Sequence, residues 1–234
     1  LYFPKKNYYL VHKESQINFK KYIKIYKNLG FKFKKINSIN YSHYLDSNQI
    51  DGCINTEEGV ILIDKLIPYL RKKIQKKTNI RTGLEINKID NLNGILYSGK
   101  KKFKSYDLII NTTYENPNLG LKKKKFKIKF ELTGMVKILK PFKEQIGLTI
   151  MDGNYCSLYP QNKKESTISS VKYTPIYKSK SFKKINDKIK TLNKNKVKQN
   201  IINDASRIIN FKNLNMKSEL ILSHKVKLRN DNDD

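Results

Sequence analysis

The sequence predicts a mixed α/β (α+β) fold, and three observations support this prediction. Residues 52–116 give a strand, a helix, a meander and then a continuous apolar run at residues 108–110, which is typical of a strand buried on both faces. Residues 126–173 alternate between apolar and polar positions, as in an antiparallel sheet. Residues 181–210 change to the helical period.

The first 51 residues predict a strand, a helix and a second strand. Residues 8–11 are aromatic and β-branched, which favours a strand. Ser15 is a candidate N-cap for a helix whose apolar stripe runs from Phe19 to Leu29, and Gly30 suits its left-handed end. Residues 31–36 alternate like a half-buried strand, and residues 37–51 have the composition of a loop.

Residues 52–116 predict one α/β unit. Asp64 can cap a helix, and the apolar side chains that follow it form one stripe: Leu66, Ile67, Leu70 and Ile74. Strands are expected at residues 80–81, 84–89, 95–97 and around Phe103, with a tight turn at Asn93-Gly94. The apolar run at residues 108–110 ends in small polar residues, which are Asn111, Thr112 and Thr113.

The rest of the chain predicts an antiparallel sheet followed by helices. The expected strands are residues 126–139, 147–151, 155–160, 167–173 and 220–226. Asp152-Gly153 is a turn. Two helical stripes lie within residues 181–210, with a break at residues 193–195.

The charge of the chain has two interpretations. The 234 residues carry 49 Lys+Arg against 20 Asp+Glu, a formal net charge of +29, which would suit a nucleic-acid-binding or structural protein. However, four of the basic residues are arginine, there is one alanine, and Lys, Asn, Ile and Tyr are over-used together, as an AT-rich genome would produce. The lysines are spread along the whole chain. We therefore expect no specific nucleic-acid partner.

Several classes of protein are excluded or disfavoured. No apolar run has the roughly 18 residues that a membrane helix needs. The first residues lack the continuous apolar region of a signal peptide, so we expect a cytoplasmic protein. Cys53 and Cys156 are far apart and predict small core residues without a disulfide or zinc site. His12, His43 and His224 lack metal-ligand spacing, so no metal is expected.

Within this pattern, several segments resemble one enzyme family. They are Glu58-Gly59 before an apolar strand, Asp64 at the start of the helix, residues 85–89 (EINKI) after it, and residues 107–113 (DLIINTT) at the end of the unit. In these places the chain resembles FAD-dependent oxidoreductases of the D-amino-acid oxidase and glycine oxidase type. Residues 149–160 and 167–175 are similar to the substrate-side sheet of that family.

The resemblance implies a domain organisation. Residues 1–51 would belong to the substrate or inter-domain region, residues 52–116 to a partial Rossmann-like FAD-binding domain, and residues 117–234 to an antiparallel-sheet substrate domain with helices at 181–210. The family's G-x-G-x-x-G and its C-terminal FAD segment are missing here, and Tyr114 stands where a glycine is usual. We therefore expect an internal fragment of a longer protein, inactive by itself. If residues 108–111 lay outside a parallel sheet or faced solvent, the flavoenzyme assignment would fail and only a lysine-rich globular protein would remain.

The resemblance also implies site residues. Ile86 would contact the adenine edge of FAD through its backbone, and Thr112 and Thr113 would lie near the cofactor at the carboxyl end of their strand. Tyr155, Ser157 and Tyr159 alternate, so they would share one face that binds a small-molecule substrate. The plainer interpretations remain open: a core isoleucine, a strand-to-loop exit and tyrosines that pack a half-buried strand.

The function expected from the resemblance is oxidation of a C–H bond next to N or O in a small amine, amino acid or hydroxy compound. Such enzymes transfer a hydride to the flavin, so the cofactor carries the chemical step and no catalytic residue is named from this sequence. The alternatives are a lysine-rich nucleic-acid-binding or structural protein and, less favoured, another nucleotide-dependent enzyme with a similar α/β unit.

Overall fold

The structure is a computed structural model that describes residues 2–4, 6–139, 141–211 and 217–229. Its four helices and fourteen strands, named in chain order within these residues, are β1 Tyr2–Pro4, β2 Lys6–His12, α1 Phe19–Asn28, β3 Phe33–Ile36, β4 Ile50–Thr56, β5 Gly59–Ile61, α2 Ile63–Gln75, β6 Lys88–Asp90, β7 Ile95–Ser98, β8 Lys101–Ser105, β9 Ile128–Leu139, β10 Ile146–Met151, β11 Cys156–Pro160, β12 Glu165–Ser170, β13 Pro175–Ser179, α3 Phe182–Thr191, α4 Lys194–Ser206 and β14 Ser218–Leu228.

A nine-stranded sheet dominates the molecule. Its strand order is β13-β9-β12-β11-β10-β2-β4-β3, and β14 pairs with β9 as well. The β2–β10 pair is parallel, with Tyr9 beside Thr149, and the other pairs are antiparallel. The sheet thus joins residues from both ends of the chain, and β4 crosses the domain boundary predicted between residues 51 and 52.

One face of this sheet carries the main hydrophobic core. The register of five neighbouring strands aligns one buried side chain from each of them, namely Val136, Ile168, Leu158, Leu148 and Tyr8. The α4 helix packs on this face through residues such as Ile201. The antiparallel sheet predicted for the second half of the chain is therefore confirmed.

Both cysteines lie in this core as free thiols, as expected. Cys53 and Cys156 are buried and belong to the same cluster. Burial raises the pKa of each thiol to about 12, because the charged thiolate is poorly solvated inside the protein. The two thiols therefore stay protonated at neutral pH.

A second region packs far less well. The strands β6, β7 and β8 form a small antiparallel sheet, in which the predicted turn at Gly94 joins β6 to β7, and β1 pairs with β5. The α2 helix begins at Ile63 with Leu62 as its N-cap, so the prediction that Asp64 caps it is wrong, and no residue of the helix is buried. Fifteen of the 23 exposed large hydrophobic side chains among the described residues lie between Ile61 and Phe126, so the apolar surface of this region has little to pack against.

The predicted strand at residues 108–111 is wrong. These residues form no strand, and Leu108 and Ile110 are 75% and 74% exposed. The strands predicted at residues 80–81 and 84–87 are likewise absent, since regular strand begins at Lys88. A strand needs a neighbour for its backbone hydrogen bonds, and no described strand runs beside either segment.

Two smaller predictions also need correction. The N-cap of α1 is Asn18, whose side-chain oxygen accepts the Lys21 N–H at 2.9 Å. Ser15 instead donates its hydroxyl to the Met151 carbonyl at 2.9 Å. The loop predicted at residues 37–51 ends earlier than expected, because β4 begins at Ile50. The sequence analysis did not predict this strand. Gly30 ends the first helix as expected, with φ of +70°.

Candidate functional site

Two of the predicted cofactor residues lie at one cavity. Ile86 and Thr113 line a space of about 550 Å³ together with Gly83, Leu119 and two carboxylates, Glu85 and Glu115. Thr112, the third predicted residue, is exposed and is not part of this lining. The side-chain oxygen of Asn111 accepts the Thr113 N–H at 2.9 Å, which fixes the turn that brings Thr113 to the cavity.

The backbone around this cavity is open. Among the described residues, residues 80–86 make no backbone–backbone hydrogen bond. Gly83 has a φ of +72° and nothing within 4 Å of the position where a Cβ would stand. The segment therefore offers free N–H and C=O groups, together with space for a flat group to approach the chain.

The face of the nine-stranded sheet opposite the main core is apolar where α1 packs against Val11 and Ile54, and the part beside this cluster is polar. We define this polar face by two rows of side chains that the register places side by side: Asn7, Tyr159 and Thr167 in one row, and Tyr9, Thr149 and Ser157 in the next. Ser157 is half-buried and Tyr159 is 38% exposed. These two predicted substrate residues therefore share a face, as expected.

Tyr155 lies elsewhere, so the prediction that all three residues share one face is wrong for this one. It precedes β11 and packs against the main core, where its ring stacks on His12 with centroids 4.5 Å apart. Its hydroxyl is 3.0 Å from His12 Nδ1. Both residues line a separate cavity of about 700 Å³ near the ends of β2 and β10. The alternation fails because Tyr155 belongs to the turn that follows Gly153.

A carboxylate stands over the polar face. Glu58 lies between β4 and β5, where the chain leaves the nine-stranded sheet for α2. Its Oε2 accepts the Asn7 side-chain amide at 2.7 Å, and its Oε1 accepts the Tyr9 hydroxyl at 2.9 Å. Two neutral donors from β2 therefore hold an exposed carboxylate in a fixed place.

This carboxylate influences the nearby tyrosines. The pKa of Tyr9 is raised well above its usual value, first by burial and then by its hydrogen bond to Glu58. The pKa of Tyr159 is also raised, first by burial and then by the charge of Glu58. Gly147 lies beside Asn7 in the register and has no side chain.

Sequence reasoning used Glu58 only as a landmark of the family and missed its neighbours. Asn7 and Tyr9 are about fifty positions away along the chain, so neither spacing nor periodicity links them to Glu58. The alternation of residues 7–11 did carry one signal: Asn7 and Tyr9 had to lie on the face opposite Tyr8 and Leu10. What could not be foreseen is that β4 returns beside β2.

Two further searches of the described residues concern membranes and metals. Their helices include none with the length and apolarity needed to cross a bilayer. They also contain no group of three or more His, Cys, Asp or Glu side chains arranged to bind a metal ion. The candidate site is therefore described through hydrogen-bonding and aromatic side chains.

Comparisons with known proteins give likeness in structure only. No protein-family model and no curated protein matches the sequence. Among solved structures, the chain is similar to glycine oxidase from Geobacillus kaustophilus, with a TM-score of 0.66 and 12% identity over 99% of this chain and 61% of that one. It is also similar to NikD, an unusual amino acid oxidase essential for nikkomycin biosynthesis, with a TM-score of 0.64 and 7% identity over 96% of this chain and 61% of that one.

A third similar structure is L-proline dehydrogenase from P. horikoshii, with a TM-score of 0.60 and 12% identity over 99% of this chain and 63% of that one. The chain thus spans a little over three fifths of the length of each structure. At these identities the likeness concerns the fold, and it confirms the predicted mixed α/β class. The chain shares its fold with these three structures over at least 96% of its length.

Proposed function

We propose that this chain is part of an FAD-dependent oxidoreductase of the D-amino-acid oxidase type. The enzyme would oxidise a C–H bond next to N or O of a small metabolite and pass the hydride to flavin. The observation that carries the proposal is the match to glycine oxidase along 99% of the chain. It is supported by the cavity that Ile86 and Thr113 share.

The residues present suit the adenosine end of FAD. The open backbone of residues 80–86, the uncrowded Gly83 and the cavity of about 550 Å³ leave room for a flat base and its ribose. Ile86 would bind the base through its backbone, and Thr112 and Thr113 would lie near the ribose or phosphate. The sequence contains no G-x-G-x-x-G loop for the pyrophosphate, so we propose that another part of the protein supplies it.

The exposure of residues 108–111 is the observation that stands against this proposal. We account for it by proposing that the chain is a fragment, in which the strands that would pair with residues 80–86 and 107–111 lie outside the sequence. The apolar stripe of α2, which includes Ile67 and Leu70, would pack against the same missing part. On this view residues 52–116 belong to the FAD-binding domain, and residues 1–51 and 117–234 to the substrate side.

The polar face of the nine-stranded sheet would then cover the flavin ring and bind the substrate. Ser157 and Tyr159 keep the substrate-binding role proposed for them. Tyr155 loses this role because it lies near His12 on the core side of the sheet. Aromatic and hydroxyl side chains on one face of a rigid sheet can orient a small polar molecule.

The test is to express the full-length product of the gene that encodes this chain. We expect a G-x-G-x-x-G motif within about a hundred residues upstream of Leu1, because this is about the size of a typical domain. The purified protein should be yellow, and denaturation should release FAD. A colourless protein that shifts duplex DNA with a steep dependence on salt would contradict the proposal and favour nucleic-acid binding.

A further inference from the structure

We propose that Tyr114 and His224 are positioning residues for the cofactor cavity: they fix its wall of residues 113–116 to β14, and the affinity of the cavity for the adenosine end of FAD depends on this. The inference rests on the proposed function and deepens it. Three residues of the wall line the space of about 550 Å³, namely Thr113, Glu115 and Asn116. Tyr114 and His224 are outside this lining, so each would act on the cofactor through the wall.

Residues 111–116 form a turn that is closed by its own hydrogen bonds. The Asn111 side-chain amide donates to the Asn116 carbonyl at 3.1 Å, and the Asn111 side-chain oxygen accepts the Thr113 N–H at 2.9 Å. The chain before the turn gives little support, since Leu108 is 75% exposed. The turn therefore keeps its shape as a unit, while its position depends on contacts outside it.

Tyr114 makes the first of these contacts, at the outer edge of β14. The β14 strand pairs with β9 along its whole length, and within the described residues no strand pairs with its other edge. In an antiparallel ladder, both backbone groups of every second residue point to that outer edge. The Val226 N–H donates to the Tyr114 hydroxyl at 2.9 Å, and this hydroxyl donates to the Val226 carbonyl oxygen at 3.4 Å. Tyr114 therefore binds where a neighbouring strand would otherwise pair.

Glu115 makes the second contact, two residues earlier on the same strand. Its Oε1 is hydrogen-bonded to Nε2 of His224. The His224 ring packs edge-on against Phe182 of α3, with centroids 4.9 Å apart, which restricts where the ring can lie. The two contacts hold adjacent residues of the turn on one stretch of an eleven-residue strand. The wall of the cavity is thus fixed to the nine-stranded sheet.

The Glu115 contact also affects the charge of the cavity. This carboxylate belongs to the cavity lining, and a nucleotide cofactor brings phosphate groups that a carboxylate repels. The hydrogen bond to His224 directs Oε1 toward β14. Without His224, the carboxylate would be released to face the cavity, and the affinity for a phosphate-bearing ligand would fall.

The place of Tyr114 in the sequence agrees with such a role. Tyr114 stands where the family that the chain resembles usually has a glycine, and a glycine has no side chain that could reach β14. The plainer alternative is that the two contacts only protect the edge of β14 from pairing with other chains. The two explanations differ in outcome, because edge protection alone would not change the affinity for one end of the cofactor.

The test uses the full-length protein, prepared without its flavin, and three probes. FAD carries both ends of the cofactor, ADP carries the adenosine end with its phosphates, and FMN carries the flavin end. Tyr114→Phe should weaken the binding of FAD and ADP by about three- to tenfold, the usual effect of losing one hydrogen bond, and leave the affinity for FMN unchanged. Titration calorimetry measures all three affinities. Tyr106→Phe, at another exposed tyrosine of the same segment, is the matched control and should change none of them.

The His224 contact is tested by a rescue. His224→Leu should weaken ADP binding by about the same factor, and adding Glu115→Gln should restore most of the affinity, because the released charge is then gone. Hydrogen exchange of the Val226 amide in the full-length protein reports the Tyr114 contact itself. This exchange should be faster in Tyr114→Phe than in wild type, and unchanged in Tyr106→Phe.

The outcomes separate the inference from the proposed function. If wild type binds FAD and ADP, and Tyr114→Phe binds both equally well or loses FMN affinity to the same extent, the inference is overturned and the proposed function stands. The same holds if the Val226 amide exchanges equally fast in both proteins, or if Glu115→Gln fails to rescue His224→Leu. A wild-type protein that binds neither FAD nor ADP would refute the proposed function and the inference with it.

Discussion

The nine-stranded sheet and the segment of residues 61–126 differ in how their apolar residues are used. In the sheet, the side chains of Leu10, Leu148 and Leu158 are fully buried. Among the described residues of this segment, Phe103 is the one buried hydrophobic residue. The apolar stripe of α2 faces solvent. Both parts are rich in lysine, so composition does not explain the contrast. The difference shows that most apolar side chains of the segment have little of the described chain to pack against.

The difference has an energetic meaning. Burying a leucine side chain stabilises a fold by about 1.5–3 kcal/mol relative to leaving it exposed, and an exposed helix depends on its weak intrinsic propensity. The nine-stranded sheet therefore holds most of the stability of this chain. The segment of residues 61–126 would gain stability from whatever covers it.

The largest expected effect comes from a pair of leucine substitutions. Leu148→Ala should lower the free energy of unfolding by about 2–5 kcal/mol, because it leaves a cavity in the main core. Leu108→Ala should change it by less than about 0.5 kcal/mol, because this side chain is 75% exposed. Urea unfolding of the two variants measures both effects. A similar cost at the two positions would contradict the contrast between the regions.

A smaller effect is expected from pH in the core. Burial raises the pKa of Cys53 to about 12, whereas a thiol in the unfolded chain has a pKa near 8.5. The raised pKa contributes stability that is fully present below about pH 8.5 and is lost progressively as the pH rises to 12. Cys53→Ala should therefore lower the free energy of unfolding less at pH 10 than at pH 7, and the difference should be about 1 kcal/mol or more.

The measurement is urea unfolding of wild type and Cys53→Ala at the two pH values. Ellman's reagent supplies a control, since both core thiols should react only after unfolding. If Cys53→Ala lowered the free energy of unfolding equally at pH 7 and pH 10, the Cys53 thiol would not be buried as described.

Much of the nine-stranded sheet could be predicted from the sequence because it depends on local alternation. β9, β10 and β11 carry apolar-polar alternation, so strands were predicted at these positions. β4 was missed because Asp51, Gly52 and Asn55 are poor strand residues. That segment is extended because β2 and β3 bind it on both sides, which is information that no local window contains.

The strand predicted at residues 108–111 is wrong for the opposite reason. The run Leu108-Ile109-Ile110 has high strand propensity, yet propensity cannot form a strand without a neighbouring backbone. The candidate site was predicted in part for a similar reason. Ser157 and Tyr159 followed from alternation, whereas the group formed by Asn7, Tyr9 and Glu58 depends on contacts between distant parts of the chain.

The central proposal is that a nucleotide-binding part of the full-length protein would cover the segment of residues 61–126. Hydrogen exchange of residues 80–86 and 107–111, in this chain alone and in the flavin-loaded full-length protein, tests it most directly. We predict near-free exchange in the chain alone, because residues 80–86 make no backbone hydrogen bonds among the described residues, and protection by about a hundredfold or more in the full-length protein. Equally fast exchange in both proteins would contradict the claim.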